Sequence, residues 1–472
     1  MPAVSLCVIA RNEAANLAAC LGPLVPLVSE MIVVDTGSAD STRSIAESFG
    51  AHVFDFPWCD DFAAARNESL RRATGEWILW MDADDRLDAV NLGKLGELLR
   101  GLDANRVAGL MSCMSLASDG QATFEVKHVR LFPSAPAHRW RGRVHEQILP
   151  ALHATGCQLR ETGIAVHHVG YQDQALFLRK LERNLRLLEL EYERRPPDGW
   201  YFFQRGGAHL DLGRYAEAIV SLHIAVPLVS PDLSVRVHAM LGEAYAHEHR
   251  LDLALEMVRE GLLVAVSAPQ LWLLEAEILG AIGDYDASEL SAMTALGHGN
   301  DPASLGVLDT TVAFRSRHLL AHLAGMRGQM DLCERHARAV LAVRPAFGPA
   351  LLVLAEALLA QGNIEAFDAL AGTIAASPET PTAQALLGAM KAAHFGDRGG
   401  GLEILAKALV RDGKSLFLAK ARALALVAAA HPDAATALED LLRRAPLDLE
   451  ARAAHRRLHG ASPVLRSSAA RF

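Results

Sequence analysis

Trp77-Ile78-Leu79-Trp80-Met81-Asp82-Ala83-Asp84-Asp85 runs from five apolar residues straight into three carboxylates. The apolar run reads as a buried strand. Asp82 and Asp84, with one residue between them, can both face a hard cation where the strand stops and the chain turns. The same residues also suit a polar strand end with a helix cap.

The residues upstream show what kind of sheet this strand joins. Val4–Ala10, Met31–Val34 and His52–Phe54 are further strand runs. Ala14–Val28 is apolar at helical spacing, interrupted by Pro23 and Pro26. Ser41–Phe49 reads as a helix capped by Asp40 or Ser41, and Ala63–Ala73 as another. This alternation predicts βαβ units and a mostly parallel sheet. Ligands of such sheets bind at the carboxyl ends of the strands. Arg11-Asn12, Asp35 and Asp82 all fall there, so three segments are expected to converge on one crevice.

Each segment has chemistry to offer. Asp35 can accept a hydrogen bond from a base or a ribose hydroxyl. Gly37 permits close backbone approach. Arg11 and Arg66 can set positive charge against a pyrophosphate. Taken singly, Asp35-Thr36-Gly37 also suits a tight turn, and Arg66 a solvated helix face.

Taken in order, the segments Cys7–Glu13, Ile32–Thr42, Ala65–Asn67 and Trp80–Asp85 resemble the family-2 glycosyltransferases of the nucleotide-diphospho-sugar (GT-A) fold. The resemblance covers about residues 1–175. It implies that Asp35 contacts uracil or an equivalent base and that Glu13 lies near the nucleoside. It places Arg66 near the base or diphosphate, and makes Asp82 and Asp84 a metal motif for Mn²⁺ or Mg²⁺. Ala10, Arg11, Gly37 and Ala83 join the donor-binding set. The implied activity is inverting transfer of a sugar from a nucleotide-diphosphate donor, of the UDP-sugar class. Asp85 stands where many relatives have Glu. Two later clusters, Arg139–Glu146 and Ile164–Tyr171, resemble elements of family-2 enzymes that carry C-terminal tetratricopeptide repeats. By that resemblance His168 is the third metal ligand and His167 its bystander. Without it, a histidine at a strand end is more often a surface or hydrogen-bonded residue.

An inverting transfer needs a base for the acceptor proton. Glu146 is the first candidate, Asp85 the second and Asp119, in Ser118-Asp119-Gly120, the third. The other reading of Glu146 is an ion pair with Arg141 or Arg143. Trp140 and Trp58 could stack on a sugar or belong to the core.

From about residue 176 the strand signals stop. Leu212–Tyr215, Ile282–Tyr285, Arg327–Met330 and Gln361–Ile364 are repeated turn signals. Leu251 to Tyr285 and Met330 to Ile364 are both 34 residues apart. Tyr215 to Leu251 is 36 and Tyr285 to Met330 is 45, which predicts an insertion around Gly297–Val307. Ala218, Ala254, Ser288 and Cys333 recur as small residues after the turns. This is the period of the tetratricopeptide repeat, whose helix pairs stack into an all-α solenoid with a concave groove. The pattern is expected to weaken after about 380, where Gly399-Gly400-Gly401 disturbs it. Glu182–Arg195 reads as a solvated helix linking the domains. The expected organisation is a catalytic domain at 1–175, a helical linker at 176–198 and repeats at 199–460.

Composition narrows the rest. The 472 residues carry a net charge of −9, with 51% hydrophobic and 21% charged residues. That fits a globular chain and argues against a nucleic-acid binder, which would show a basic face. The six cysteines include no CxxC pair. The N-terminus reads as a first strand rather than a signal peptide, and no apolar run approaches membrane-spanning length. The expectation is a cytoplasmic protein. Its partners would be a nucleotide-sugar donor, a peptide or protein acceptor docked on the repeats, and a second copy through the repeats. A glycan or lipid-linked acceptor is the other option. A nucleotidyltransferase of the same fold would need a Gly-rich loop with a Lys after strand one, and Arg11-Asn12-Glu13 is not that. The rival from another class is a scaffold with a vestigial transferase domain.

Overall fold

A computed structural model describes residues 2–102, 107–116, 122–169, 174–193, 196–298, 309–345, 347–375 and 381–459. They divide into two compact units, the first reaching Leu212 and the second starting at Gly213. The first unit therefore extends beyond residue 175 and takes in two more helices.

The first unit is built on eight strands. They are β1 (Val4–Ala10), β2 (Glu30–Asp35), β3 (His52–Asp55), β4 (Trp77–Asp82), β5 (Asp85–Arg86), β6 (Val107–Leu116), β7 (Ala122–Pro133) and β8 (Gln158–His168), in the order β3-β2-β1-β4-β7-β6-β8-β5. The first four are parallel, and β1 lies between β2 and β4. Beyond β4 the sheet is mixed: β7 is antiparallel to β4 and β6, and β8 is parallel to β6. The expectation of a mostly parallel sheet holds for half of it. The pair β6–β7 was not read from sequence, because Lys127, His128 and Arg130 interrupt the apolar run of β7.

Seven helices complete the unit: α1 (Leu17–Leu21), α2 (Thr42–Ser48), α3 (Phe62–Arg72), α4 (Ala89–Arg100), α5 (Leu149–Ala154), α6 (Gln174–Tyr192) and α7 (Gly199–Asp211). The single helix expected over Ala14–Val28 is instead α1 followed by a 3₁₀ segment, Gly22–Leu27. Pro23 and Pro26 lack the N–H that an α-helix would use. Alternate strand residues feed two cores. Leu6, Val8, Leu79 and Met81 pack with Leu17, Leu21 and Leu95. Cys7, Ile32, Ile78 and Trp80 pack with Ala63, Leu152 and Trp140. Burial of both faces explains why β1, β2 and β4 are continuous apolar runs. The α6 segment is not a solvated linker: Leu187 and Leu188 are buried against Val144.

The second unit is helical: α8 (Tyr215–Ala225), α9 (Pro231–His247), α10 (Leu251–Val264), α11 (Pro269–Ile282), α12 (Tyr285–His298), α13 (Asp309–Met326), α14 (Met330–Val343), α15 (Gly348–Ala360), α16 (Ile364–Ala375), α17 (Pro381–His394), α18 (Arg398–Arg411), α19 (Leu416–Ala428), α20 (Ala434–Arg444) and α21 (Leu449–Leu458). The turn residues Gly213, His249, Gly283, Gly328, Gly362, Gly396 and Ala430 all have positive φ. Their spacings are 36, 34, 45, 34, 34 and 34 residues. The period therefore continues past 380, contrary to expectation. The three glycines lie inside α18, and Gly401 takes the small-residue place that Ala218, Ala254 and Ser288 take earlier. A Cβ on Gly401 would stand 3.0 Å from the carbonyl oxygen of Ala389. The expected insertion falls largely on residues 299–308, outside the described residues.

Leu274, Phe314, Phe347, Leu386, Leu405 and Phe417 line a cavity of about 840 Å³ within this unit. The last helix, α21, returns to the middle of the repeats, where Leu449 packs with Ala276, Leu319 and Leu323. No helix among the described residues is long and apolar enough to cross a membrane.

Candidate active site

The strand register builds the crevice. Ala10 of β1 pairs with Asp35 of β2, and Ile9 with Asp82 of β4. Asp35 and Asp82 are thus two strand spacings apart, about 10 Å. The two loops on one side are tied together by side chains. Thr42 Oγ1 accepts from the Glu13 amide at 2.7 Å, and Ser38 Oγ from the Asn12 amide at 3.0 Å. Asp40 Oδ1 accepts from the Thr42 amide, so Asp40 rather than Ser41 caps α2. Asp35 Oδ1 accepts from the amides of Gly37 and Ser38, at 3.1 and 2.8 Å. The tight-turn reading is therefore correct for this carboxylate, and Gly37 has the φ of +101° that such a turn favours in glycine. Arg11 is exposed, and Glu13 Oε2 accepts from Asn16 Nδ2. Burial raises the Glu13 carboxyl above the ordinary range. Ala10 and Ala83 are buried.

At the end of β4 the carboxylates meet their cations. Arg66 is 7% exposed, not solvated. Its NH2 donates to Asp82 Oδ1 at 2.8 Å and its Nε to Glu146 Oε1 at 2.6 Å. Its guanidinium lies 4.2 Å from the centroid of the Trp80 ring and 5.2 Å from that of Trp140. Glu146 thus pairs with Arg66, and not with Arg141 or Arg143. The segment 141–147 turns back on itself, through Gly142 and His145 at positive φ and paired backbone bonds between Arg141 and Gln147. Trp140 packs edge-on against Trp80 in the core, and Trp58 packs on Phe62.

Asp85 is completely buried. Its Oδ2 accepts from the Asp82 amide at 2.8 Å and lies 2.8 Å from Arg130 NH1; its Oδ1 lies 3.0 Å from His168 Nδ1. A carboxylate closed off in this way does not face an acceptor, which counts against Asp85 as the base. Asp119 lies outside the described residues. The sequence reading missed Arg130, a lone charge in the apolar stretch Val129–Phe132. It sits 3.7 Å from the Trp80 ring centroid and 3.5 Å from Asp82 Oδ2. That isolation on a buried strand was its signal.

His168 comes to the carboxylates because β5 pairs with the end of β8, Asp85 opposite His168. His167, on the other face, reaches Asp88 instead. His168 Nδ1 is also 3.4 Å from Asp84 Oδ1, and Lys180 of α6 is 3.7 Å from Asp84 Oδ2. Burial would raise Asp82, but the guanidiniums of Arg66 and Arg130 hold its carboxyl well below the usual range. Asp84 is raised, first by burial and then by Asp82 and Asp85. Burial disfavours the His168 imidazolium, but the hydrogen bond to Asp85 and the charges of Asp84 and Asp82 prevail and raise its pKa. A raised carboxyl among carboxylates is one whose charge a cation would relieve. Asp82, Asp85 and His168 also bring ligand atoms within 4.8 Å of one another. Oxygen donors with one imidazole fit a divalent cation such as Mg²⁺ or Mn²⁺.

Comparison with known proteins gives the family of the first unit and relatives with repeats. The model of the Glycosyl transferase family 2 matches residues 5–155. A TPR repeat-containing protein of Synechococcus elongatus is 32% identical over 277 residues, 57% of this chain and 68% of its own length. The SPbeta prophage-derived glycosyltransferase SunS of Bacillus subtilis is 29% identical over 229 residues, 46% of this chain. The match spans 52% of SunS, about half its length. Among solved structures, a tetratricopeptide repeat protein from Parabacteroides merdae is 16% identical, covering 53% of this chain and 94% of that one with a TM-score of 0.40.

Proposed function

The chain belongs to the family-2 glycosyltransferases with tetratricopeptide repeats behind the catalytic domain, and we propose that it transfers a sugar, with inversion, from a UDP-sugar to a peptide or protein acceptor. The observation that carries this reading is the cluster of Asp82, Asp85 and His168 beside Arg66 at the carboxyl end of β4, with Asp84 Oδ1 3.4 Å from His168. Residues 1–175 would carry the catalytic and donor-binding residues, α6 and α7 would complete that unit, and the repeats from Gly213 to about 460 would dock the acceptor.

Asp82, Asp84 and His168 would hold Mn²⁺ or Mg²⁺, with Asp85 behind them. Bound there, the ion would neutralise charge on the departing diphosphate. The protein's own residues do the rest. Asp35 and Glu13 bind the nucleoside, with Ala10, Arg11, Gly37 and Ala83 shaping its bed. Arg66 fixes Asp82 on one side and Glu146 on the other, so donor and base share one anchor. Glu146 takes the acceptor proton as the acceptor attacks the anomeric carbon. Arg130 and Asp85 hold the imidazole in register with the carboxylates.

The test is turnover of a panel of UDP-sugars, with Mn²⁺ and with chelator. The expected result is metal-dependent release of UDP, lowered about 100-fold or more in Asp84→Asn. A metal-loaded, folded protein that neither binds nor turns over any nucleotide-sugar would favour the scaffold reading instead.

A further inference from the structure

Helix α6 lies beyond the residues matched by the family model, yet it brings a cation to the carboxylates. Lys180 Nζ stands 3.7 Å from Asp84 Oδ2. Its charge also acts on Glu13, just beyond β1, against the burial that raises that carboxyl. The helix that carries it is held at several points. Arg186 NH1 donates to Asp60 Oδ2 at 3.0 Å. Glu191 Oε2 accepts from the Arg143 amide at 3.0 Å. Leu187 and Leu188 are buried against Val144, beside Trp58 and Phe62. The Arg183 guanidinium lies 4.9 Å from the Phe62 ring centroid. Asp60, Phe62 and Arg143 belong to the catalytic unit, so the position of Lys180 is built into it.

Among the described residues, Arg66, Arg130 and Lys180 lie against the carboxylate cluster, and they differ in access. The Arg66 side chain is 8% exposed and engaged by two carboxylates. Arg130 is 3% exposed, closed in by Asp85, Asp82 and Cys113. Lys180 is 24% exposed, on a flexible stem that lets an ammonium move toward a new anion. The two arginines therefore fix the carboxylates, while Lys180 is the most exposed of these three cations.

Resting on the donor reading above, we propose that Lys180 binds the diphosphate of the nucleotide-sugar donor and takes up its charge as the leaving group forms. In that step the bond from the anomeric carbon to the β-phosphate oxygen breaks, and its electron pair stays on that oxygen. The acceptor atom bonds to the anomeric carbon, and the acceptor proton passes to Glu146. The nucleoside diphosphate leaves with one more negative charge, beside the Lys180 ammonium.

The experiment compares UDP, GDP and ADP with the corresponding monophosphates on the full chain in Mn²⁺, by calorimetric titration. Lys180→Ala is expected to weaken the preferred diphosphate about ten-fold. The monophosphate should change by less than about two-fold. Lys180→Arg should restore most of the diphosphate affinity, which separates charge from a structural effect of the side chain. If the wild type binds a diphosphate and Lys180→Ala binds it equally, or loses mono- and diphosphate alike, this inference is overturned alone. If the wild type binds none of the three diphosphates, the donor reading falls and takes the inference with it.

Discussion

Arg66 and Lys420 each hold two carboxylates, one in each unit, and they arrive there by different routes. Arg66 joins Asp82 and Glu146 between two tryptophans, in a crevice assembled from strand ends. Lys420 of α19 joins Glu450 at 2.5 Å and Asp448 at 3.1 Å, both at the start of α21. Glu450 also meets His322 of α13 at 3.1 Å, so this cluster ties the last helix to the middle of the repeats. In the first unit buried charge gathers at the strand ends, where we propose that the donor binds. In the second it fastens the chain to itself, at the wall of the cavity that Phe314 and Phe347 also line. The comparison teaches that a buried ion pair has no functional meaning of its own; what it faces decides.

The largest expected effect comes from removing Arg66. Arg66→Met leaves Glu146 without this cation and Asp82 with the more distant Arg130, in a mostly buried setting, and should cost about 3–5 kcal/mol. Calorimetry should show the loss in the first unit's transition only; an equal loss in both would break the comparison. Lys420→Met should cost less, about 2 kcal/mol, because that cluster is more accessible. Hydrogen exchange should rise in α21 while the affinity for nucleotide stays put. Gly362→Ala puts a side chain at φ +71° in a repeat turn and should cost about 1 kcal/mol in denaturant unfolding. The smallest effect is a slope. In chelator, the raised pKa of His168 means that its charged form stabilises the fold. That contribution is whole below about pH 6.5 and fades as pH rises through the raised value. His168→Gln should flatten the pH dependence of melting there; an unchanged slope would remove His168 from the carboxylate network.

Legibility in the sequence followed the range of the interactions. Strands β1, β2 and β4 were readable because burial on both faces makes them largely apolar. Four repeat turns were readable where glycine marks a positive φ, at Gly213, Gly283, Gly328 and Gly362, while the one at Gly396 was not. The period was lost at Ala430, where a non-glycine takes that conformation, and at Gly399–Gly401, where glycine serves helix packing instead. Asp82 and Asp84 could be named from a local pattern, and His168 from the resemblance. Arg130 stood out only as a lone charge in an apolar stretch, and nothing near it or Lys180 in the chain says what either faces. The partner of Glu146 was missed for the same reason: Arg66 is 80 residues away.

The sequence by itself determined the kind of chain this is: a βαβ domain with acidic strand ends, then helix pairs at a 34-residue period. Periodicity and turn chemistry are local, and local signals survive in a one-dimensional string. Only the tertiary structure decided which carboxylates are closed off, which cation stays partly exposed beside them and where α21 returns. Those are matters of burial and of contact between distant segments, and packing alone fixes them.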